Sequence, residues 1–196
     1  MISSILLAAG MSKRMGEPKA LLDWGGEPLI RYQIRQLQDA GVNEVVVVLG
    51  YRADDIHRKL HGLTYRSVLN PIYQLGRAGS LRAGAKAVSQ EASVIVLLNV
   101  DQPRPAELIR SVIEGHTPEA SATRPVHGDQ HGHPVVLAGR LRGALITATE
   151  DQQGLKGVLA NYADNIVDVL SDERCLVDMN TPDDYSAAAS TLSGDH

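Results

Sequence analysis

Short, wholly apolar runs alternate along the chain with longer stretches whose apolar residues recur at helical spacing. Ile5 to Ala8, Glu44 to Leu49, Tyr65 to Leu69, Val94 to Leu98 and Val135 to Leu137 read as strands, rich in Val and Ile. Between them Leu29 to Ala40, Ala53 to Leu60, Ser80 to Val88 and Pro105 to Gly115 read as amphipathic helices bounded by Gly or Pro. Runs such as VVVVL and VIVLL have no polar face. They therefore predict strands covered on both sides, in a doubly wound α/β domain with a mainly parallel sheet. In such sheets ligands gather beyond the carboxyl ends of the strands, which is where Ala9, Asn70 and Asp101 fall. After residue 115 the alternation weakens. The polar stretch His127 to His133 predicts a loop or hairpin, a small insertion added to the first half.

The chain has 196 residues, 43% of them hydrophobic, which is enough for one well-filled core. The expected division is a single domain over 1–192, made of two halves, 1–115 and 116–192, with a disordered tail at 193–196. The formal charge of −4 argues against diffuse attraction to nucleic acid or to an anionic membrane. Cys175 is the single cysteine, so neither an intramolecular disulfide nor a thiolate metal cage is available, which fits a cytoplasmic location. Residues 2–9 are apolar but too few to span a bilayer, and Lys13 and Arg14 follow them where a signal peptide would place charge first.

Against that acidic background one segment is concentrated in cations. LAAGMSKRMGEPKALL, from Leu7, sets small residues and glycines directly behind the first strand, so backbone N–H groups at Ala8, Ala9, Gly10 and Met11 can approach phosphate oxygens. Lys13, Arg14 and Lys19 add charge. Arginine offers a planar fork to a phosphate and lysine a point charge that can follow a moving one. The loop is neither GxGxxG nor GxxxxGK[ST]. Asp101, in NVDQP after the strand VIVLL, is a carboxylate delivered to the sheet edge, suited to Mg²⁺ when a nucleotide supplies the other oxygens. The alternative for Asp101 is a helix N-cap, although it lies a few residues early for one. His127, His131 and His133 lack cysteine partners and regular spacing, which argues against zinc.

The pattern LAAGxSxRMGxPK resembles the signature of the MobA-like NTP transferase family. This family includes the molybdenum cofactor cytidylyl- and guanylyltransferases and the sugar-phosphate nucleotidylyltransferases. The resemblance implies a Rossmann-like nucleotidyltransferase fold and a nucleotide site formed by Leu7, Ala8, Ala9, Gly10, Ser12, Arg14, Lys19, Asn70, Ser80, Gly84, Asp101, Gln102 and His133. Its catalytic members would be Arg14 on the departing pyrophosphate, Lys19 on the reacting α-phosphate and Asp101 on the metal, Mg²⁺ or Mn²⁺. VDMNTPDDY resembles the family's second metal segment and leaves Asp178 and Asn180 as alternatives. Two residues apart on a strand, both would face the crevice while Met179 packs away. Thr181 can also cap a final helix begun by Pro182.

NPIYQLGRAGSLRAG resembles the base-side loop. There Ser80 either contacts base or ribose or serves as an N-cap, and Arg77 and Arg82 either meet phosphate or stand in solvent. GHPVVL resembles the acceptor-side segment, with His133 near the second substrate, and DQQGLKG places Lys156 near an incoming phosphate or simply at the surface. LAAG together with DQP resembles the CTP users, while Asn99 departs from the small residue more usual before the metal step. The implied reaction transfers CMP from CTP to the phosphate of molybdopterin, with a recipient molybdoenzyme as a further partner. A sugar- or alditol-phosphate nucleotidylyltransferase and a non-catalytic nucleotide-binding chaperone for a molybdoenzyme are the alternatives.

Overall fold

A computed structural model describes residues 1–12 and 15–192. Lys13, Arg14 and the tail 193–196 lie outside the described residues, so the role expected of Arg14 and the expected disorder of the tail are not addressed by it. The chain forms β1 (Ile2–Ala8), a small hairpin of β2 (Asp23–Trp24) and β3 (Glu27–Pro28), α1 (Leu29–Asp39), β4 (Glu44–Leu49), α2 (Ala53–Lys59) and β5 (Arg66–Leu69). These are followed by α3 (Arg77–Ala87), β6 (Val94–Asn99), α4 (Ala106–Glu114), β7 (Ala122–His127), β8 (Gln130–His131) and β9 (Val135–Ala138). The last elements are α5 (Arg142–Thr147), α6 (Leu155–Ala160), β10 (Ile166–Leu170) and α7 (Pro182–Leu192).

The main sheet runs β10-β7-β9-β6-β1-β4-β5, with β8 hanging from β7. β1 pairs parallel with both β4 and β6, and β5 extends the same parallel set. β9 enters antiparallel between β6 and β7, while β10 is parallel to β7. Side chains alternate across β1, β4 and β6, so each central strand feeds two cores. Leu6, Val47 and Leu98 pack with α1, α2, α4 and α7 on one face. Ile5, Val46, Val48 and Leu97 pack with α3, α5 and α6 on the other. This is the doubly wound arrangement that the unbroken apolar runs predict.

Two expectations need correction. α3 begins at Arg77 rather than Ser80, so Ser80 lies inside the helix and is not its N-cap. Residues 178–180 are not strand: the segment crosses the sheet edge as irregular chain, tied by the Met179 N–H donating to the Asp101 carbonyl at 2.9 Å. The polar stretch after residue 127 is a hairpin, with Gly128 turning at φ +58° between β7 and β8. Among the described residues no helix is long and apolar enough to cross a membrane.

Candidate active site

The parallel strands β1, β4, β5 and β6 end on one edge of the sheet, and their loops are laced to one another just beyond it. The N–H groups of Tyr51, Asn70 and Val100 donate to the carbonyls of Ala9, Leu49 and Leu7 at 3.1, 2.8 and 3.0 Å. Above this edge lies a cleft of about 370 Å³ lined by Leu7 to Ser12, Pro18 to Ala20, Tyr73, Gln74, Gly76, Arg77, Ser80, Asn99, Val100, Asp101 and Asn180. Helix α3 points its first turn at this space. Gly76 precedes it at φ +124°, a conformation that a side chain resists, which lets the chain double back from Tyr73 into the helix.

At the floor, Lys19 Nζ lies 2.7 Å from Asp101 Oδ2 and 3.0 Å from Asn180 Oδ1. Three sequence-distant segments thus meet at one point. Pro18 and a short 3-10 turn over Lys19–Leu21 fix where the lysine leaves the phosphate loop, and Ser12 Oγ accepts the Lys19 backbone N–H at 3.0 Å, closing that loop on itself. Ser12 sits at φ +49°, in the left-handed region uncommon for a residue with a side chain. Asp101 follows β6 in a turn that Asn99 and Gln102 brace, the Asn99 amide donating to Gln102 Oε1 at 2.9 Å. Asn180 is placed by the start of α7. Asp184 Oδ2 accepts the N–H groups of Asn180 and Thr181, and the Asp184 N–H donates back to Thr181 Oγ1 at 3.2 Å. Thr181 therefore does cap α7.

Asp178 lies beside this pair without lining the cleft. Partial burial and the nearby Asp101 charge raise its carboxyl above the usual range, the response of a carboxylate that lacks a full counter-charge. The oxygens of Asp101 and Asn180 converge on a single cation, the Lys19 ammonium, and a carboxylate and an amide oxygen are donors of the type that hard divalent ions take. Among the described residues, no three His, Cys, Asp or Glu side chains gather as a protein-only metal cage.

The other expected site residues divide. Leu7, Ala8, Ala9, Gly10, Ser12, Lys19, Ser80, Asp101 and Asn180 come together around the cleft. Asn70 is buried one layer below, its amide donating to Ser80 Oγ at 2.9 Å and its carbonyl oxygen accepting the Ile72 N–H at 3.2 Å. Gly84 is further down α3. A Cβ there would stand 2.4 Å from Ile5 Cγ2, so this glycine lets the helix seat on the sheet and does not face the cleft. Gln102 is buried against Asn99 and lies off the cleft wall. His133 also lies off it, with a buried Nδ1 that has no hydrogen-bond partner among the described residues. Burial first, and then the Arg104 charge, lower its pKa to about 4. Lys156 is exposed on α6.

Tyr73 and Gln74 belong to the cleft although no motif marked them individually, beside Gly76, which the segment NPIYQLGRAGSLRAG offered as a point of close backbone approach. Their shared signal was their position in the strand-end loop after β5. Arg104 and Gln33, buried beneath the Asp101 turn, carried no motif at all.

Similarity to known proteins extends over most of the chain. The profile of the MobA-like NTP transferase domain matches residues 4–166, a span that holds the phosphate loop, Lys19 and Asp101 and ends before Asn180. The chain is 30% identical over 190 residues to a protein named nicotine blue oxidoreductase from Paenarthrobacter nicotinovorans, covering 92% of each. It is 25% identical over 191 residues to the molybdenum cofactor cytidylyltransferase of Escherichia coli K12, covering 95% of each. Among solved structures it superposes on Rv0371c from Mycobacterium tuberculosis H37Rv with a TM-score of 0.84 and 26% identity, over 96% of this chain and 97% of that one. The chain is thus an NTP-dependent nucleotidyltransferase that belongs to the MobA-like NTP transferase domain family.

Proposed function

We propose that this protein transfers CMP from CTP to the phosphate of molybdopterin, releasing pyrophosphate. The observation that carries the reading is the meeting of Lys19, Asp101 and Asn180 at the floor of a cleft walled by the phosphate loop. A terminal phosphate with a second pKa of about 6 is largely dianionic near neutral pH, so it attacks without a general base. An acceptor oxygen forms a bond to the α-phosphorus while the bond to the bridging oxygen breaks, and pyrophosphate leaves with that electron pair. What the site must overcome is repulsion between two anions, and it does so by position and charge.

Asp101 and Asn180, with Asp178 beside them, would hold a divalent cation, which when bound neutralises phosphate charge. Lys19 then exchanges its contacts with these oxygens for the α-phosphate, a short movement for a flexible ammonium. The main chain over 8–12 and the first turn of α3 face the remaining phosphate and ribose oxygens. Arg14 is assigned to the departing pyrophosphate on the sequence motif. Cytidine is preferred on LAAG and DQP, with the Ala9 methyl occupying part of the cleft wall where a purine would need room.

The test is pyrophosphate release across four NTPs, with molybdopterin and several sugar and alditol phosphates as acceptors, in Mg²⁺ or Mn²⁺. Turnover is expected with CTP, molybdopterin and metal together, falling by about 10²-fold or more in Asp101→Asn and in Lys19→Met. Turnover with a sugar phosphate alone moves the protein to the alternative acceptor class. Nucleotide binding without any pyrophosphate release favours the chaperone reading. Similarity to the Paenarthrobacter protein favours a redox reading as the second candidate. Redox turnover of nicotine blue with an added two-electron reductant and without NTP would identify it.

A further inference from the structure

Arg104 is the bulkiest of the fully buried side chains, and among the described residues it forms no ion pair. Its acceptors are main-chain carbonyls. Nε donates to His133 at 2.9 Å, Nη1 to Pro103 at 2.7 Å, and Nη2 to Cys175 at 2.7 Å and Val177 at 2.8 Å. Gln33, also fully buried, braces the same turn from α1. Its Oε1 accepts the Arg104 N–H at 3.3 Å and its Nε2 donates to the Gln102 carbonyl at 2.8 Å. Burying a guanidinium among neutral acceptors is costly, and an apolar side chain would fill the space at a lower cost. Burial lowers the Arg104 pKa only to about 10, so it stays cationic at neutral pH, with Asp178 and Asp101 among the anions that favour its charge.

The carbonyls it gathers belong to three segments: the turn after Asp101, the approach to β9, and the chain that runs directly into Asp178 and Asn180. We infer that Arg104 is a positioning residue for the phosphate site. By clamping Pro103, His133, Cys175 and Val177 from within, it sets the separation of Asp101 from Asp178 and Asn180, and so the affinity of those oxygens for the divalent ion that enters with the triphosphate. The inference rests on the nucleotidyl-transfer reading for the identity of that ion's partner.

The test measures Mn²⁺ binding by electron paramagnetic resonance with a non-hydrolysable CTP analogue present, alongside the metal concentration for half-maximal pyrophosphate release. Arg104→Met and Arg104→Lys are compared with Val112→Ala, which truncates a fully buried side chain of α4 in the apolar cluster that also holds Cys175 and Met179 and takes no part in the Arg104 hydrogen bonds. Arg104→Met is expected to weaken Mn²⁺ binding, and to raise the half-activating concentration, by about tenfold or more. Nucleotide affinity measured in EDTA is expected to stay within about twofold, because Arg104 does not line the cleft. Arg104→Lys is expected to recover part of the loss, since a single ammonium reaches fewer of these carbonyls. If Arg104→Met does not fold, the Lys variant carries the comparison. Wild-type Mn²⁺ affinity in the arginine variants, or an equal loss in Val112→Ala at matched thermal stability, overturns the proposal. A wild-type protein that binds Mn²⁺ with the analogue but releases no pyrophosphate would remove the proposed reaction and leave the clamp to be judged on binding alone.

Discussion

Lys19 makes two different contacts with one side chain: its ammonium pairs with the Asp101 carboxylate and donates to the uncharged Asn180 amide oxygen, and in the proposed reaction it is the group that turns to the α-phosphate. Ala9, on the neighbouring wall, carries no charge, and the part proposed for its methyl is one of volume. Changing Ala9→Gly is expected to raise GTP use relative to CTP; an unchanged kcat/KM ratio between the two would show that base selection is made elsewhere. His133 carries a pH consequence. Its ring stays neutral in the folded chain down to about pH 4 but takes a proton near 6.5 once the chain unfolds. The unfolded chain therefore binds more protons within that window, and stability falls as pH drops through it. The loss is at most roughly 3 kcal/mol and is absent above the window. Denaturant titrations at stepped pH should show a flatter dependence in His133→Asn over this range. Paired carboxylates such as Asp168 and Asp172, whose pKa values lie below the ordinary 3.8, act at lower pH.

At the scale of elements, helix α3 ties stability to the site. Gly84 allows it to lie against Ile5 and Val48, while its first turn presents Arg77 and Ser80 to the cleft. Gly84→Ala would force its new methyl into a fully buried strand residue. The expected outcome is a loss of about 1–3 kcal/mol by denaturant unfolding, together with a raised KM for NTP as the helix shifts. A variant with wild-type stability would mean that Ile5 can turn aside at little cost. The central strands were legible in the sequence because VVVVL and VIVLL are apolar on both faces, and α1 and α4 because their apolar stripes have helical spacing. β7 was not, since Arg124 and Pro125 interrupt its apolar run, and β10 was hidden because none of its residues is fully buried and Asp168 breaks the run IVDVL. The start of α3 was displaced because Arg77, Ala78 and Gly79 carry no apolar pattern of their own.

Taken whole, the two halves of the chain do not form separate cores. β9, from the second half, pairs with β6 of the first, and Val136, Cys175, Met179 and Ala188 belong to the same apolar cluster as Leu6 and Ile34. We propose that the chain unfolds as one unit. A fragment ending at residue 115 is expected to lack a cooperative thermal transition, whereas a sharp transition in circular dichroism would make the first half an independent domain. The same interlocking explains which site residues the sequence could announce. The loop after β1, Lys19 and the aspartate after β6 are local features, set by a strand end and a few neighbouring residues, so pattern and motif alone pointed to them as site candidates along with the doubly wound architecture. That Asn180 meets Lys19, that Asp178 stands aside, that Gly84 packs instead of binding and that Arg104 joins three segments from below were decided only in the tertiary structure. Each depends on contacts between residues far apart in the chain, whose distances are fixed by how β9 and α7 close over the parallel sheet, and no local periodicity encodes that closure.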